Sequence, residues 1–359
     1  TGIISNGGSA LAVTKAGAGT LTLSGDNSYT GGTTVNAGTI YANSATSFGA
    51  GTVTLGNNTG SNAVAIYANA TGSLSIGNAI VLTTNASIPS ITIGNTSAVS
   101  SGTTTFTGTI TGTNNLTIDN AGAGALTFNK TSGTTINNVG TITNSGAGSG
   151  TVTITFTTSG AAIGSNVSQI NENSTTSALT ISGTINPAST LTLINTAGTK
   201  ILTVSGGISG SGNLVLNNNS STDNGITLSG SSINNTGTIT NSGSGNGSVL
   251  ISAGVGANVT GITENSATSA LNVSGAITLA NSAGTTTLTN SNASGSALFS
   301  ITGGTIAGHA SRVLDLKNNS SIANGITISS SSVGHTGTIT NTGSGSGSVL
   351  ISGGVGSAV

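Results

Sequence analysis

The acidic residues of this chain are few and widely spaced. Glycoside hydrolysis needs two carboxyl groups within about 5–9 Å of each other. In a stack of short strands, the closest two acids in the sequence, Asp223 and Glu264, would lie about two layers, or roughly 10 Å, apart. We therefore expect isolated acids in turns or on the surface, and we predict no catalytic residue among the six, which are Asp26, Asp119, Glu172, Asp223, Glu264 and Asp315.

Metal binding has weak support in the sequence. Repeat-type calcium sites need clustered aspartates, and the acids here do not cluster. His309 and His335 are separated by close to one layer of such a stack, so they could form a metal pair. The segments around them, AGHASR and SVGHTG, are typical of turns, which favours exposed loop histidines. The chain has no Cys, which excludes thiolate sites and disulfides. We predict no metal and no cofactor.

Two other patterns have a possible chemical interpretation. The segment RVLDLK, from Arg312 to Lys317, is dense in charge and could contact a partner, although a solvated strand face is the favoured interpretation. Pairs such as Thr141 with Thr143, or Thr238 with Thr240, could order water or bind ice on a flat face. Thr is also simply common in strands. No Ser-His-Asp set, P-loop or dinucleotide fingerprint occurs, so we predict a protein that is not an enzyme.

The composition narrows the class of protein. Only 3 % of the 359 residues are charged, against about 25 % in ordinary soluble domains. The formal net charge of −1 gives no basic field for a phosphate backbone, so we predict no nucleic-acid partner. Disordered chains are rich in charge, Pro and Gln, whereas Pro occurs only twice here. The absence of Cys fits export through an oxidising compartment.

Short alternating segments predict strands. Segments such as LTLS, TTVN and TVTL alternate with period two and are separated by Gly, Asn and Ser clusters, which are strand and turn signals. No window has the period of a helix. A β-sandwich would need bulkier aromatics and longer strands. We therefore predict an all-β, right-handed parallel β-helix, or β-solenoid, that forms an elongated rod with coils of roughly 20 to 25 residues.

Long internal repeats support one continuous solenoid over 1–359. INNVGTITNSGAGSGTVTI begins at Ile136, INNTGTITNSGSGNGSVLI at Ile233 and VGHTGTITNTGSGSGSVLI at Val333. The predicted long units are 136–232, 233–332 and a truncated 333–359. Because the last unit stops midway, we expect a fragment of a longer protein.

Residues 11–55 carry a more specific pattern. They read LAVTKAGAGTLTLSGDNSYTGGTTVNAGTIYANSATSFGAGTVTL. This stretch resembles the passenger-associated transport repeat of bacterial autotransporters, with a Lys-x-Gly-x-Gly-Thr-Leu start, a central Asn-x-Tyr-x-Gly-Gly-Thr and an Asn-Ala-Gly-Thr close. The matching positions are Lys15, Gly17, Gly19, Leu21, Leu23, Gly25, Asn27, Tyr29, Gly31, Gly32, Thr33, Asn36, Gly38 and Ile40. Weaker similarity begins at Thr113 and at Gly210.

The resemblance implies a right-handed β-helical passenger that is exported to the cell surface. It implies membrane contact only through an anchor domain outside this fragment. It offers no catalytic residue, and it assigns the glycines of residues 11–55 to turns and the Leu and Val residues to inward positions.

Together these patterns predict a non-enzymatic, extracellular structural protein of the bacterial cell surface. It would be a β-helical rod that forms or coats a filament or surface layer. Self-association, end-to-end or lateral, is expected because the charges and prolines that normally protect strand edges are sparse. The alternative is an adhesin stalk or autotransporter passenger that attaches to cells, glycans or surfaces.

Overall fold

The computed structural model describes residues 2–57, 59–85, 87–196, 198–280, 284–308, 311–329 and 332–359. The chain divides into two compact units, Thr1–Gly183 (unit 1) and Thr184–Val359 (unit 2). Each unit is a β-solenoid of stacked parallel strands, and no helix occurs among the described residues. Consequently, that part of the chain contains no helix that could span a membrane.

The strands of unit 1 are short, except for β13 and β15. They are β1 (Val13–Lys15), β2 (Thr20–Leu23), β3 (Thr33–Val35), β4 (Gly38–Ala42), β5 (Val53–Leu55), β6 (Val64–Ala68), β7 (Leu74–Ile76), β8 (Ile80–Leu82), β9 (Ile91–Asn95), β10 (Thr103–Phe106), β11 (Ile110–Gly112), β12 (Leu116–Asn120), β13 (Ala125–Ile136), β14 (Gly140–Asn144), β15 (Val152–Ile163), β16 (Val167–Glu172) and β17 (Leu179–Ile181). Strands β2, β4, β6, β9, β12, β14 and β16 form the second sheet of this unit, and the others belong to its first sheet.

The strands of unit 2 repeat this arrangement. They are β18 (Leu191–Asn195), β19 (Leu202–Val204), β20 (Leu214–Asn218), β21 (Ile226–Leu228), β22 (Gly237–Asn241), β23 (Val249–Ile251), β24 (Val259–Glu264), β25 (Leu271–Val273), β26 (Ile277–Thr278), β27 (Gly284–Asn290), β28 (Phe299–Ile301), β29 (Thr305–Ala307), β30 (Arg312–Asn318), β31 (Ile326–Ile328), β32 (Ser332–Val333), β33 (Thr338–Asn341) and β34 (Val349–Ile351). The second sheet contains β18, β20, β22, β24, β27, β30 and β33, and a short third sheet contains β26, β29 and β32.

The register of the second sheet shows that coils differ in length. Leu21 pairs with Ile40 of the following coil, whereas Ile142 pairs with Ile170. The first of these coils is slightly shorter than the predicted length and the second slightly longer, because the corners between strands differ. The prediction of parallel strands in a β-solenoid is therefore confirmed. The right-handed coil, the rod shape and the continuity over 1–359 stay predictions.

The core of each unit is a thin column of aliphatic side chains. In β6, Val64, Ile66 and Ala68 are buried, and the two residues between them are half-buried. The identical sequences GTITN of β14 and β22 have the same burial pattern, so the repeat seen in the sequence is a repeat of structure. In unit 1 the stacked rings of Phe106 and Phe128 fill the column, with centroids 5.5 Å apart.

The aliphatic column predicts a small, position-dependent effect of methyl deletion. Ile262 is fully buried in β24 between Ile239 and Leu288. We expect Ile262→Val to lower the free energy of unfolding by about 0.5–1.5 kcal/mol because it removes one methylene from a packed core. Thr263→Ser at the neighbouring outward position is the control and should stay within about 0.5 kcal/mol of the parent in urea unfolding. Equal effects at the two positions would contradict the inward and outward assignment.

Candidate functional site

The outward side of the second sheet of unit 1 brings two tyrosines and an acid into one column. Tyr41 pairs with Tyr67, Tyr67 with Gly94, and Gly94 with Asp119. Because the coils stack in register, these residues lie above one another on the same face. Tyr41, Tyr67 and Asp119 are each half-buried. We call these three residues the tyrosine face.

The geometry of the tyrosine face is fixed by direct contacts. The rings of Tyr41 and Tyr67 meet edge to face, with centroids 6.1 Å apart and planes at 85°. The Tyr67 hydroxyl donates a hydrogen bond of 2.9 Å to Oδ2 of Asp119. It reaches across the intervening coil because Gly94 has no side chain there. A Cβ on Gly94 would lie 3.1 Å from Cε1 of Tyr67, so the ring covers the glycine.

The electrostatics of this face keep Tyr67 a hydrogen-bond donor. Burial raises the pKa of Tyr67, and the charge and hydrogen bond of Asp119 and the neighbouring Tyr41 raise it further. The phenol is therefore protonated at physiological pH. Asp119 has no cationic partner among the described residues. The ion pair found in that part of the chain joins Lys317 to Asp315. The face thus presents an uncompensated carboxylate beside two aromatic rings.

Two open depressions border the tyrosine face. One, of about 380 Å³, is lined by Tyr41, Tyr67 and Asp119 together with hydroxyl groups of Thr39, Thr96 and Ser97. The other, of about 360 Å³, shares Thr39 and Tyr67. Together they form a shallow surface of Thr and Ser side chains and small apolar residues such as Ala63, Val64 and Ala65, with Tyr67 between its two parts.

Sequence reasoning missed this face. Tyr41 and Tyr67 occur in the similar segments TIYANS and AIYANA. The separation of these segments is close to the length predicted for one coil, and both tyrosines are at the outward position of a five-residue strand. The repeated Tyr-Ala-Asn sequence was visible in both segments. The strand spacing gave only an approximate coil length, however, and an approximate length does not show that the two rings stack.

The predicted acids are isolated from one another, but three are not surface residues. Asp26 and Asp223 are exposed, as expected. Glu172 and Glu264 are 0 % exposed and Asp315 is 6 % exposed, so the prediction of turn or surface positions was wrong for them. Among the described residues, no group of three His, Cys, Asp or Glu side chains could hold a metal ion.

Each buried glutamate bonds a buried amide of its own unit, and in unit 2 Glu264 belongs to a column of buried amides at the end of the second sheet. In this column Asn290 donates from Nδ2 to the carbonyls of Ala297 (3.1 Å) and Gly325 (2.7 Å). Other fully or nearly fully buried members with bonds of the same kind are Asn195, Asn218 and Asn318. Each amide joins its own turn to the turn of the following coil. The column therefore adds side-chain hydrogen bonds between the turns of successive coils, to carbonyls that in part also accept a backbone N–H.

Glu264 takes an acceptor position in this column. It pairs with Asn241 of the preceding coil and Asn290 of the following one. Oε2 accepts from Nδ2 of Asn241 at 2.8 Å, and Oε1 accepts from the backbone N–H of Ser266 at 2.6 Å. Burial raises the pKa of Glu264 to about 8, although the hydrogen bonds from Asn241, Ser266 and Leu271 lower it. Glu172 has the matching contacts in unit 1, with Asn144 and Ser174.

His335 is also structural. Its side chain is 0 % exposed, and Nε2 donates to the Thr338 carbonyl at 3.1 Å. Asn138 and Asn235 make the same bond to Thr141 and Thr238 in the related turns. The prediction of an exposed loop histidine was therefore wrong for His335. This histidine occupies the position of Asn138 and Asn235 and makes the hydrogen bond that closes the turn. His309, the other half of the suggested metal pair, lies outside the described residues.

The segment RVLDLK is largely buried. Arg312 is 5 % exposed and donates to Thr286 Oγ1 at 3.0 Å and to the Thr285 carbonyl at 2.9 Å. Asp315 accepts from the hydroxyls of Thr340 (3.0 Å) and Thr342 (2.9 Å). The solvated strand face is correct for Lys317, whose side chain is 40 % exposed, and wrong for Arg312 and Asp315. Their hydrogen-bond partners on neighbouring coils explain the burial.

The threonine pairs do not form an unbroken array on the second sheet of unit 2. Thr238 pairs with Gly261, and in the next coils Thr287 pairs with Asp315 and Thr289 with Lys317. A glycine gap and an ion pair therefore interrupt the regular hydroxyl spacing that an ice-binding surface would need.

The residues of the transport-repeat pattern hold their own coils together. Lys15 donates to the Ala37 carbonyl at 3.1 Å, and Asn27 donates to the Ser47 carbonyl at 2.7 Å. Tyr29 is 0 % exposed, and its hydroxyl lies 2.6 Å from that of Thr33. Gly38, the first residue of β4, has φ of 74°, a left-handed conformation that glycine tolerates. These contacts join successive coils of the matching stretch.

Comparison with known proteins gives one match. Residues 13–41 match the family model of the passenger-associated transport repeat. No curated protein and no solved structure gives a significant match to the chain. The repeat implies export to the cell surface, and solenoids that carry it are usually structural or adhesive. The chain therefore contains a passenger-associated transport repeat within a β-solenoid, an arrangement consistent with an autotransporter passenger.

Proposed function

We propose that the chain is a non-enzymatic structural protein of the bacterial cell surface, which coats the surface or assembles into a filament. The observation that carries this proposal is that four titratable side chains form hydrogen bonds inside the coils. Glu172, Glu264 and His335 are buried in hydrogen bonds that join or close turns, and Asp315 is buried in bonds from threonine hydroxyls of the following coil. These four titratable groups are therefore bonded within the stack and are not presented to solvent.

Assembly would use the neutral outward faces. Outward strand positions such as Thr203 and Thr227, paired on neighbouring coils, carry small uncharged side chains. Neighbouring molecules therefore meet little charge repulsion, and few charged or proline residues protect the strand edges against pairing.

Salt and a single added charge test this proposal. We expect particles larger than one chain by sedimentation and electron microscopy at about 0.05 M NaCl, and we expect them to persist at about 1 M NaCl because neutral contacts are not screened. Thr203→Lys should reduce assembly, whereas Thr203→Ser should not. A chain that stays monomeric at all concentrations, or assembly that dissolves at high salt, would refute the proposal.

The tyrosine face favours a second candidate function, attachment to other cells or surfaces. A scaffold that only assembles has no need for two half-exposed aromatic rings beside a carboxylate that has no cationic partner among the described residues. Beads coated with the full chain should then adhere to cells above the level of uncoated beads, and lack of adhesion would remove this candidate.

A further inference from the structure

We propose that the tyrosine face of unit 1 binds a neutral saccharide, with a sugar ring stacked on a tyrosine and its hydroxyls bonded to Asp119 and the surrounding threonines. The proposal rests on the attachment function above and supplies its ligand. It is carried by the placement of Tyr41, Tyr67 and Asp119 in one outward column.

The distribution of aromatic residues supports a binding role. The chain has three Tyr and five Phe, and most are in the core. Tyr29 and four phenylalanines, at 48, 106, 128 and 299, are at most 1 % exposed. Tyr41 and Tyr67 instead lie together on the outside, where packing does not require them. An aromatic ring with an accessible face offers a broad apolar surface with a negative quadrupole, which suits the C–H face of a sugar.

The polar groups around the rings are suited to bind the hydroxyl groups of a sugar. Asp119 has a carboxylate without a cationic partner in the described part of the chain, and carboxylates accept strong hydrogen bonds from hydroxyl groups. Thr39, Thr96 and Ser97 line the same depression. The hydroxyls of Thr39 and Ser97 can donate and accept, and that of Thr96, which donates to Oδ1 of Asn69, can accept. A ligand with an apolar face and many hydroxyls fits this set better than a purely apolar one.

The face is also ordered before any ligand binds. The hydrogen bond of 2.9 Å from Tyr67 to Asp119 fixes both side chains, and the edge of one tyrosine ring supports the other. Fewer rotamers are therefore lost on binding, which improves affinity without new contacts. The two depressions meet at Tyr67, so the surface has room for more than one sugar ring.

The charge at this face argues against an anionic ligand, because Asp119 would repel it. A cation held by the two rings and the carboxylate is the competing class. We favour the neutral saccharide because hydroxyl-bearing residues, Thr39, Ser90, Thr92, Thr96 and Ser97, line the depressions beside small apolar residues, and because the depressions are open and extend over several coils.

Binding of neutral oligosaccharides to the full chain tests the proposal. The probes are immobilised oligomers of glucose and of N-acetylglucosamine, with choline as the cationic probe. We expect saccharide binding that persists at about 1 M NaCl and weakens at least 10-fold in Tyr41→Ala and Tyr67→Ala. Tyr67→Phe keeps the ring but loses the bond to Asp119, so it should fold normally and weaken binding only a few-fold. Phe156→Ala, which removes another half-buried ring of unit 1, should bind as the parent does.

Each other result overturns the inference in a recognisable way. Cell adhesion by the coated beads without saccharide binding, or with binding that ignores both tyrosine variants, would leave the attachment function intact and refute this site. Choline binding that is lost at high salt and in Asp119→Asn, with no saccharide binding, would identify a cation site instead. Absence of both adhesion and saccharide binding would refute the attachment function as well.

Discussion

The stability of unit 2 is expected to fall as the pH rises from about 4.5 to about 8, because Glu264 is a buried carboxyl group with a pKa raised to about 8. In this range the folded unit keeps its proton and the unfolded chain releases it. The unfolded state therefore binds fewer protons, and the free energy of unfolding decreases with pH. Below the unfolded pKa both states are protonated, so the contribution of Glu264 is fully present there.

The size of this effect is bounded by the difference between the two pKa values. One pKa unit corresponds to about 1.4 kcal/mol, so the loss reaches at most about 5 kcal/mol above pH 8. Glu264 is 0 % exposed, so solvent gives little relief to its ionised form. Loss of the proton would place a charge without a cationic partner among the described residues inside the buried amide column, where only the N–H groups of Asn241, Ser266 and Leu271 offset it.

Hydrogen exchange of the amides in Val259–Val273 at pH 5, 7 and 9, corrected for intrinsic exchange rates, measures this dependence locally. We expect the protection factors to fall between pH 5 and 9 in the parent chain. Glu264→Gln cannot titrate, so its protection factors should change little with pH. They should be lower than those of the parent at pH 5, because the amide has one acceptor oxygen fewer for the Asn241 Nδ2 group. Asp223→Asn, at an exposed acid of the same unit, should keep the parent slope. A parent slope that survives in Glu264→Gln would disprove the assignment.

The strands and their inward residues could be predicted from the sequence because alternation is a local property. LTL, ITI and VLI segments need only neighbours above and below them, and turn residues mark where each strand ends. The partner of each strand was harder to predict. Corners of different lengths make the coil from Leu21 to Ile40 shorter than the coil from Ile142 to Ile170, so composition alone could not fix the register.

The polar residues show the limit of the same reasoning. Glu264 and Arg312 have ionisable side chains, and such side chains are normally exposed. Their burial depends on groups one coil away, such as the Asn241 amide and the Thr286 hydroxyl. The tyrosine face was missed for the same reason, since Tyr67 and Asp119 are far apart in the sequence and meet across Gly94. Contacts between coils become visible only when the register is known.

The buried amide column gives the last large effect that we expect. Asn290→Leu retains a side chain of similar size but removes all of its hydrogen bonds. The Ala297 carbonyl would lose its bond from Nδ2, and the Asn292 N–H would lose the bond of 3.0 Å to Oδ1. The Gly325 carbonyl keeps its bond from the backbone N–H of Phe299. Two buried backbone groups without partners cost about 1–3 kcal/mol each, so we expect a loss of about 2–6 kcal/mol.

Asn272→Leu is the matched control, because Asn272 faces outward in β25 of the same unit and is half-buried. Urea unfolding of the two variants should show a large loss for Asn290→Leu and a change within about 0.5 kcal/mol for Asn272→Leu. Asn290→Asp distinguishes the donor from the volume, since it keeps an acceptor for Asn292 but cannot donate to Ala297 when ionised. If both variants at position 290 were as stable as the parent, the hydrogen bonds of the column would result from the stacking of the coils and would not stabilise it. A loss in both shows that the amides hold successive coils in register.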